Sequence, residues 1–349
     1  MWLKELCQRC LDRPRTSRHA RPQAARRRGV RLRLEQLEDR TVPSSFTAAT
    51  VSDLMADINA ANQSGGSNTI ALVAGNTFAL TAVDNSTDGA TGLPVIAAND
   101  NLSILGNGDT IARSTAKGTP DFRLFDVASG GALTLANLTL QGGIADGAGG
   151  AIDNLGSLAL NGVTVQNNIA QGSKFGAAGG GIFSSGSLTL QDCTVQNNQA
   201  LGANGTFTGD SGSPALGGGL YVSGGTASLT NVTLYDNTAQ GGDGANGGRV
   251  KSCGPDGCSN TFYPHGNGGN GLGGGMYVAG GTVSLHNTTV DHNSAVAGNG
   301  GHSALAEGGG IYIAVGASVC LDAFTLAHVI NNTASTGYPD IYGAYTICP

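Results

Sequence analysis

Leu188-Thr189-Leu190-Gln191-Asp192-Cys193-Thr194-Val195-Gln196-Asn197-Asn198 decides the fold, because the chain keeps repeating it. Leu160 to Asn168 carries nearly the same string, and the pattern L-x-x-V-T-V-x-x-N returns at Leu229 to Asn237 and at Leu285 to Asn293. Degenerate copies begin at Leu135 and Leu321. Glycine blocks closed by an apolar residue precede four copies: Gly149 to Ile152, Gly179 to Ile182, Gly217 to Leu220 and Gly273 to Met276. A fifth, Gly308 to Ile311, precedes the copy at Leu321. Alternation over three or four residues, a turn, then alternation again predicts short strands. No crossover-length helix lies between them, which excludes a doubly wound sheet. Copies that each bury one stripe must stack to complete a core. The expected fold is all-β, a right-handed parallel β-helix with coils about 4.8 Å apart.

The columns carry this expectation. Val163, Cys193, Val232 and Phe324 are assigned to one inward column, and Val165, Val195, Leu234, Val290 and Leu326 to another. Thr139, Thr164, Thr194, Thr233, Thr289 and Thr325 take the outward parity between them, where a β-branched residue suits a pleated surface. Asn168, Asn198, Asn237 and Asn293 fall at one bend, where an amide ladder satisfies backbone groups the turn leaves unpaired. Thr50-Val51-Ser52-Asp53 signals a helix start, with Leu54, Ile58 and Ala61 at helical spacing behind it. The reading therefore divides the chain into a basic leader at 1–45, expected to be disordered, and a β-helix at 46–349. Within the latter, 46–64 is the cap, about 68–335 the coils and 336–349 the closure.

Composition bounds the rest. Glycine makes up 58 of 349 residues without a strict third-residue period, which excludes collagen. A charged fraction of 12 % beside 40 % hydrophobic residues argues against a disordered body. Residues 1–40 hold 12 of the 18 Lys and Arg, so the body from residue 41 has a net charge of −13. The basic tail has no stacking or groove-reading module beside it, so no nucleic-acid partner is expected. It also lacks an apolar run of signal-peptide or membrane-span length, so no transmembrane segment is expected.

Copy-to-copy spacing from Leu160 is 30, 39, 56 and 36 residues, and the extra residues fall between the asparagine bend and the next glycine block. Insertions at one vertex of a solenoid emerge on one side, commonly the binding side. The longest runs from Thr238 to Leu272 and supplies the candidate binding residues Arg249, Lys251, Phe262, Tyr263 and His265. Cys253 and Cys258 flank a Pro-Asp-Gly turn suited to a small disulfide, and Cys320 is placed to tether Cys348. Cys193 takes an inward position as a buried thiol. No metal ligand set is expected, since only His265 stands near the loop cysteines. No cofactor is expected, with calcium the one ion left open. The stretch around Asp243 resembles calcium-binding nonapeptides but lacks their spaced aspartates.

Two resemblances follow from these motifs. Glycine blocks such as Gly149-Gly150-Ala151-Ile152, alternating with x-x-Asn strand ends over roughly 130–345, resemble the GGAI and FxxN repeats of polymorphic outer-membrane proteins. Phenylalanine of the second motif is replaced here by Val165, Val195, Leu234 or Val290. Arg33 to Ser44 resembles the LExLEDRxVPS leader of large secreted or surface proteins of planctomycete bacteria. The first implies an adhesin-like passenger displayed on a surface or outer membrane, and the second implies export. The family's terminal membrane barrel does not follow the last coil, so secretion or attachment through another component is the expectation. The expected partner is a surface glycan or protein, met through the loop side. The alternative is a polysaccharide lyase or hydrolase of the pectate-lyase-like β-helix type. Asp236, Asp291 and His292 are then the catalytic candidates, with Asp236 and His292 neighbours in successive copies and Asp291 pointing elsewhere.

Overall fold

The computed structural model of the protein describes residues 44–254 and 257–348. The leader through Pro43 lies outside the described residues. The body is a right-handed parallel β-helix in which each coil contributes one strand to each of up to five parallel sheets. Residues 152–178 show the order. Ile152–Asn154 joins a seven-stranded sheet, Ser157–Asn161 a ten-stranded one and Thr164–Gln166 an eight-stranded one. Ile169–Gln171 then joins a six-stranded sheet and Ala177–Ala178 a four-stranded one.

Register is set by the repeat itself: Leu158, Leu160, Thr164 and Val165 pair with Leu188, Leu190, Thr194 and Val195 of the next coil. The inward members are buried, while Thr139, Thr164, Thr194, Thr233 and Thr289 lie half-buried on the outer side of the eight-stranded sheet. Between these sheets the corner column runs Leu138, Val163, Cys193, Val232 and Thr288, all within 3 % of full burial. The Cys193 thiol donates to the Gln191 carbonyl at 3.1 Å, and burial raises its pKa. A second, narrow core of Ala170, Ala177, Ala200, Ala215 and Ala239 fills the angle of the six- and four-stranded sheets.

The bend asparagines form the ladder. Asn198 donates its backbone N–H and its Nδ2 to Asn237 Oδ1, both at 3.0 Å, and Asn237 does the same to Asn293. Asn168 begins the series, and Asn332 ends it on Asp340 Oδ1. Each amide also donates back to a strand carbonyl, as Asn237 does to Val195 at 2.9 Å. Every rung therefore satisfies groups that burial would otherwise leave unpaired. The residue before each rung holds a left-handed backbone, with φ near 54° at Asn167, Asn197 and Asp236 and 56° at His292. Asparagine suits that region because its short polar side chain offsets part of the steric penalty.

The last copy departs from expectation. Phe324 and Leu326 do not fill the inward columns, and Thr325 does not face outward. Ala323–Ala327 instead forms a helical turn, α2, with Asp322 Oδ1 accepting from the Thr325 N–H at 2.7 Å. Phe324 is 41 % exposed and stacks on His328, while buried Thr325 accepts from the Thr288 N–H at 3.0 Å. Val329 takes the inward place beside Val290. The reason is local: earlier copies bend on Asn137, Gly162, Asp192, Asn231 or Asn287 with positive φ, and here the same place holds Ala323. Alanine pays a steric penalty in that conformation, so the chain makes a capped turn instead.

At the other end Leu54, Ile58 and Ala61 of helix α1 (Val51–Ser64) are buried against the first coils. Thr50 and Asp53 form a reciprocal capping box at its start. Residues Ser44–Ala48 form an edge strand of the ten-stranded sheet, paired in parallel with Gly66–Leu72, so Ser44 and Ser45, read as the end of a disordered leader, and 46–48, read as cap, are instead held by the sheet's ladder. Residues Ile341–Tyr342 and Thr346–Ile347 add the final strands, and a disulfide joins Cys320 to Cys348.

Candidate functional site

All four insertions leave the wall at one place, between the six- and four-stranded sheets: 172–176, 202–214, 241–270 and 297–305. They do not emerge as free loops. Within 241–247, Gly241 and Gly244 donate to Val296 and Asn299, and Gly242 and Ala245 donate to Ser213 and Asp210. Gly269 and Gly266 donate back to Gly242 and Ala245, and Gly205 donates to Asp243. Partners three residues apart meet the same neighbour, the period of an extended threefold helix. Residues 202–205, 210–213, 241–247, 265–269 and 296–301 thus form a bundle of such segments. Glycine is required by close approach: a Cβ on Gly242 would overlap the Ala203 carbonyl, and one on Gly269 the Ser213 carbonyl. Asp243 Oδ1 accepts from Asn299 N–H at 2.7 Å and from its amide at 3.0 Å, so this aspartate ties two segments together.

Only part of the longest insertion projects. Gly248–Gly254 and Gly257–Tyr263 pair as an antiparallel hairpin joined near its tip by the Cys253–Cys258 disulfide. Arg249 lies opposite Phe262 and Lys251 opposite Asn260, and all four are exposed. Alternation sends Tyr263 to the other face of the hairpin, with Val250 and Thr261. His265 is exposed at the hairpin's root, in the bundle. The other insertions add Phe175 and Phe207, which with Phe262 are 89 %, 76 % and 69 % exposed. A cleft of about 630 Å³ lies between the 172–176 and 203–214 insertions, lined by Lys174, Phe207, Asp210 and Pro214 among others.

Asp236, Asp291 and His292 stand apart from this, where the eight-stranded sheet ends. Backbone register makes Asp236 and His292 neighbours, but the side-chain pair is different: His292 Nδ1 lies 2.7 Å from Asp291 Oδ1. The same oxygen accepts from Asn331 Nδ2 at 3.0 Å, and the His292 ring lies 5.5 Å from that of Tyr235. No lysine or arginine lies in 226–240 or 282–296, the wall segments that carry these three residues; the nearest along the chain are Arg249 and Lys251 of the hairpin.

Sequence reasoning missed two arrangements on the outer side of the seven-stranded sheet. Phe183, Tyr221, Tyr277, Tyr312 and Tyr342 form an unbroken ring stack with centroids 4.6 to 5.2 Å apart. The signal was present, since each follows the apolar residue that closes a glycine block or begins a strand. Their faces are spent on one another, leaving edges and hydroxyls outward. Burial, then the neighbouring tyrosines, pushes Tyr312 up to about 12.

The same column begins with Asp126 and Asp153, paired in register, beside Arg123. Arg123 NH2 lies 3.5 Å from Asp153 Oδ2, and the guanidinium donates to the Asp88 and Ala148 carbonyls. Neither Asp126 oxygen has a hydrogen-bond partner in this wholly buried place. Burial, then the Asp153 charge, raises Asp126 to about 6 against the opposing pull of Arg123. Burial raises Asp153 as well. The absence of a glycine block before Asp126 hid this alignment. Asp126 is fully buried and Asp153 nearly so, and both therefore hold their protons to higher pH than a free aspartate.

Among the described residues no group of three or more His, Cys, Asp or Glu is placed to hold a metal ion. No helix among them is long and apolar enough to cross a membrane. Compared with family models, curated proteins and solved structures, the chain matches none.

Proposed function

We propose that this chain is an exported, surface-associated β-helix protein of adhesin type that binds a glycan or protein partner through its insertion side. The observation that carries the reading is the concentration of exposed aromatic residues on insertions from successive coils, namely Phe175, Phe207 and Phe262. Large apolar side chains held in water at loop tips favour a partner that covers them. Two disulfides, Cys253–Cys258 and Cys320–Cys348, fit an oxidising compartment. The GGAI-like blocks and the leader-like Arg33 to Ser44 point the same way, toward the outer-membrane repeat family and toward export.

The test uses the full chain incubated with a panel of polysaccharides and with intact cells, scored for protein depletion and for released oligosaccharides. Binding without products is the expected result. Removing 249–262, which spares the glycine bundle, is expected to abolish most of that binding; unchanged binding would overturn the reading. Released products would replace it with a polysaccharide-cleaving activity and direct attention to Asp291 and His292.

A further inference from the structure

Resting on that loop-side reading, we propose that one face of the 248–263 hairpin recognises an acidic polysaccharide, a polymer of uronic acids. The register places Arg249, Lys251, Asn260 and Phe262 on this face and leaves the other without charge: Val250, Ser252, Ser259, Thr261 and Tyr263. The uncharged face leans on the preceding coil, since a Cβ on Gly209 would lie 3.0 Å from the Tyr263 Cβ. Tyr263 is 41 % exposed and Phe262 69 %, in keeping with a charged face turned to solvent.

Charge selects the partner. The body beyond residue 40 carries six cations against 19 acids. Arg123 is buried beside Asp153, and Arg113 is held by Asp121 at 2.7 Å. Arg249 and Lys251 meet no carboxylate among the described residues. They are the only two cations of the body that share one strand face. Two residues of strand separate them by roughly 7 Å, which suits carboxylates on neighbouring sugars. A uronic acid ring presents an apolar C–H face, hydroxyls and a carboxylate. Phe262, the Asn260 amide and the two cations offer the matching set side by side. A nucleic-acid duplex, with one charge per about 1.7 Å of axis, needs many more cations than the two offered here.

The experiment measures binding of the full chain to immobilised polygalacturonate, to carboxyl-reduced polygalacturonate, to dextran and to poly-glutamate at two salt concentrations. Retention on polygalacturonate that weakens with salt is expected. Arg249→Gln with Lys251→Gln should weaken it at least about tenfold, Phe262→Ala several-fold, and Lys117→Gln, at an exposed cation outside the insertions, should leave it unchanged. Circular dichroism and thermal midpoint of each variant should match the parent, as these side chains are exposed. Equal binding to the carboxyl-reduced polymer or to dextran overturns the acidic specificity and leaves the glycan reading standing. Equal binding to poly-glutamate overturns it in favour of an acidic protein partner. Full binding after removal of 249–262 would instead fell the loop-side reading beneath it, and binding to none of the four overturns the proposal.

Discussion

The coil wall and the glycine bundle hang on the same backbone yet are built by opposite means. In the wall each position is specified by what its side chain supplies: leucine or valine to a column, asparagine to a ladder, threonine to an outer rank. In the bundle positions are specified by what is missing, because segments approach until a single Cβ would strike a carbonyl. Side chains that interlock give the wall cooperative stability, whereas the bundle relies on backbone hydrogen bonds with little apolar burial beneath them. The bundle should therefore open at lower free energy than the wall that supports it.

The largest effect is expected where the wall's polar spine is cut. Asn237→Ala removes the acceptor for two donors of Asn198 and the donors to Val195 and Asn293, all at a buried bend. Stranding those groups should destabilise the fold by about 3–5 kcal/mol. The same substitution at exposed Asn299, a tie of the bundle, should leave the main thermal transition nearly in place. Comparable losses from both in denaturant titrations would erase the distinction between the regions.

A smaller effect comes from acid. Asp126 sits near 6 in the folded wall against an ordinary value of 3.8, so between those values the native state holds a proton the unfolded chain has released. Unfolding stability should then fall as pH rises from about 4 to 6 and level off above, by roughly 3 kcal/mol from this group. Raised Asp153 contributes in the same direction. Asp126→Asn should flatten the slope and raise stability at pH 7, as read from denaturation midpoints across that range. A slope that survives Asp126→Asn would place its origin elsewhere.

What the sequence disclosed follows the same division. Val165, Val195 and Asn198 announce their columns because repetition with period-two alternation has one economical solution, stacking. The helix at Thr50 is equally plain, since its cap and its buried stripe are local signals. Phe324 misled because hydrophobicity suggested an inward place, while the deciding residue was Ala323, which replaces a left-handed asparagine. The bundle was illegible for a deeper reason: its hydrogen bonds join Gly205 to Asp243 and Gly244 to Asn299, across coils and with no side chain to align. Glycine-rich insertion and ordered glycine bundle have the same composition. Of the candidate site, the hairpin residues were visible as a chemically varied patch. Their sorting onto two faces required the register that Cys253 and Cys258 share.

The smallest effect on the whole chain, and the sharpest on the comparison, should come from Gly242→Ala. Gly242 has a negative φ, so alanine suffers no penalty from backbone conformation there, and the new methyl acts purely as an obstacle. It would drive into the Ala203 and Gly202 carbonyls and part 241–247 from 202–205. The bonds at risk are Gly205 to Asp243 and Gly202 to Gln240, each 2.8 Å, with Gly242 to Ser213 at 3.0 Å. Limited proteolysis should then cut 203–214 and 297–305 faster, while amide protection at Asn198 and Asn237 stays at the parent level. The global unfolding free energy should move by less than about 1 kcal/mol, because the wall's columns are untouched. Gly337→Ala serves as the control, since nothing lies within 4 Å of its added carbon. A single cooperative loss of several kcal/mol on Gly242→Ala would mean that the bundle is part of the wall's folding unit. The hairpin it carries would then be held as rigidly as the coils themselves.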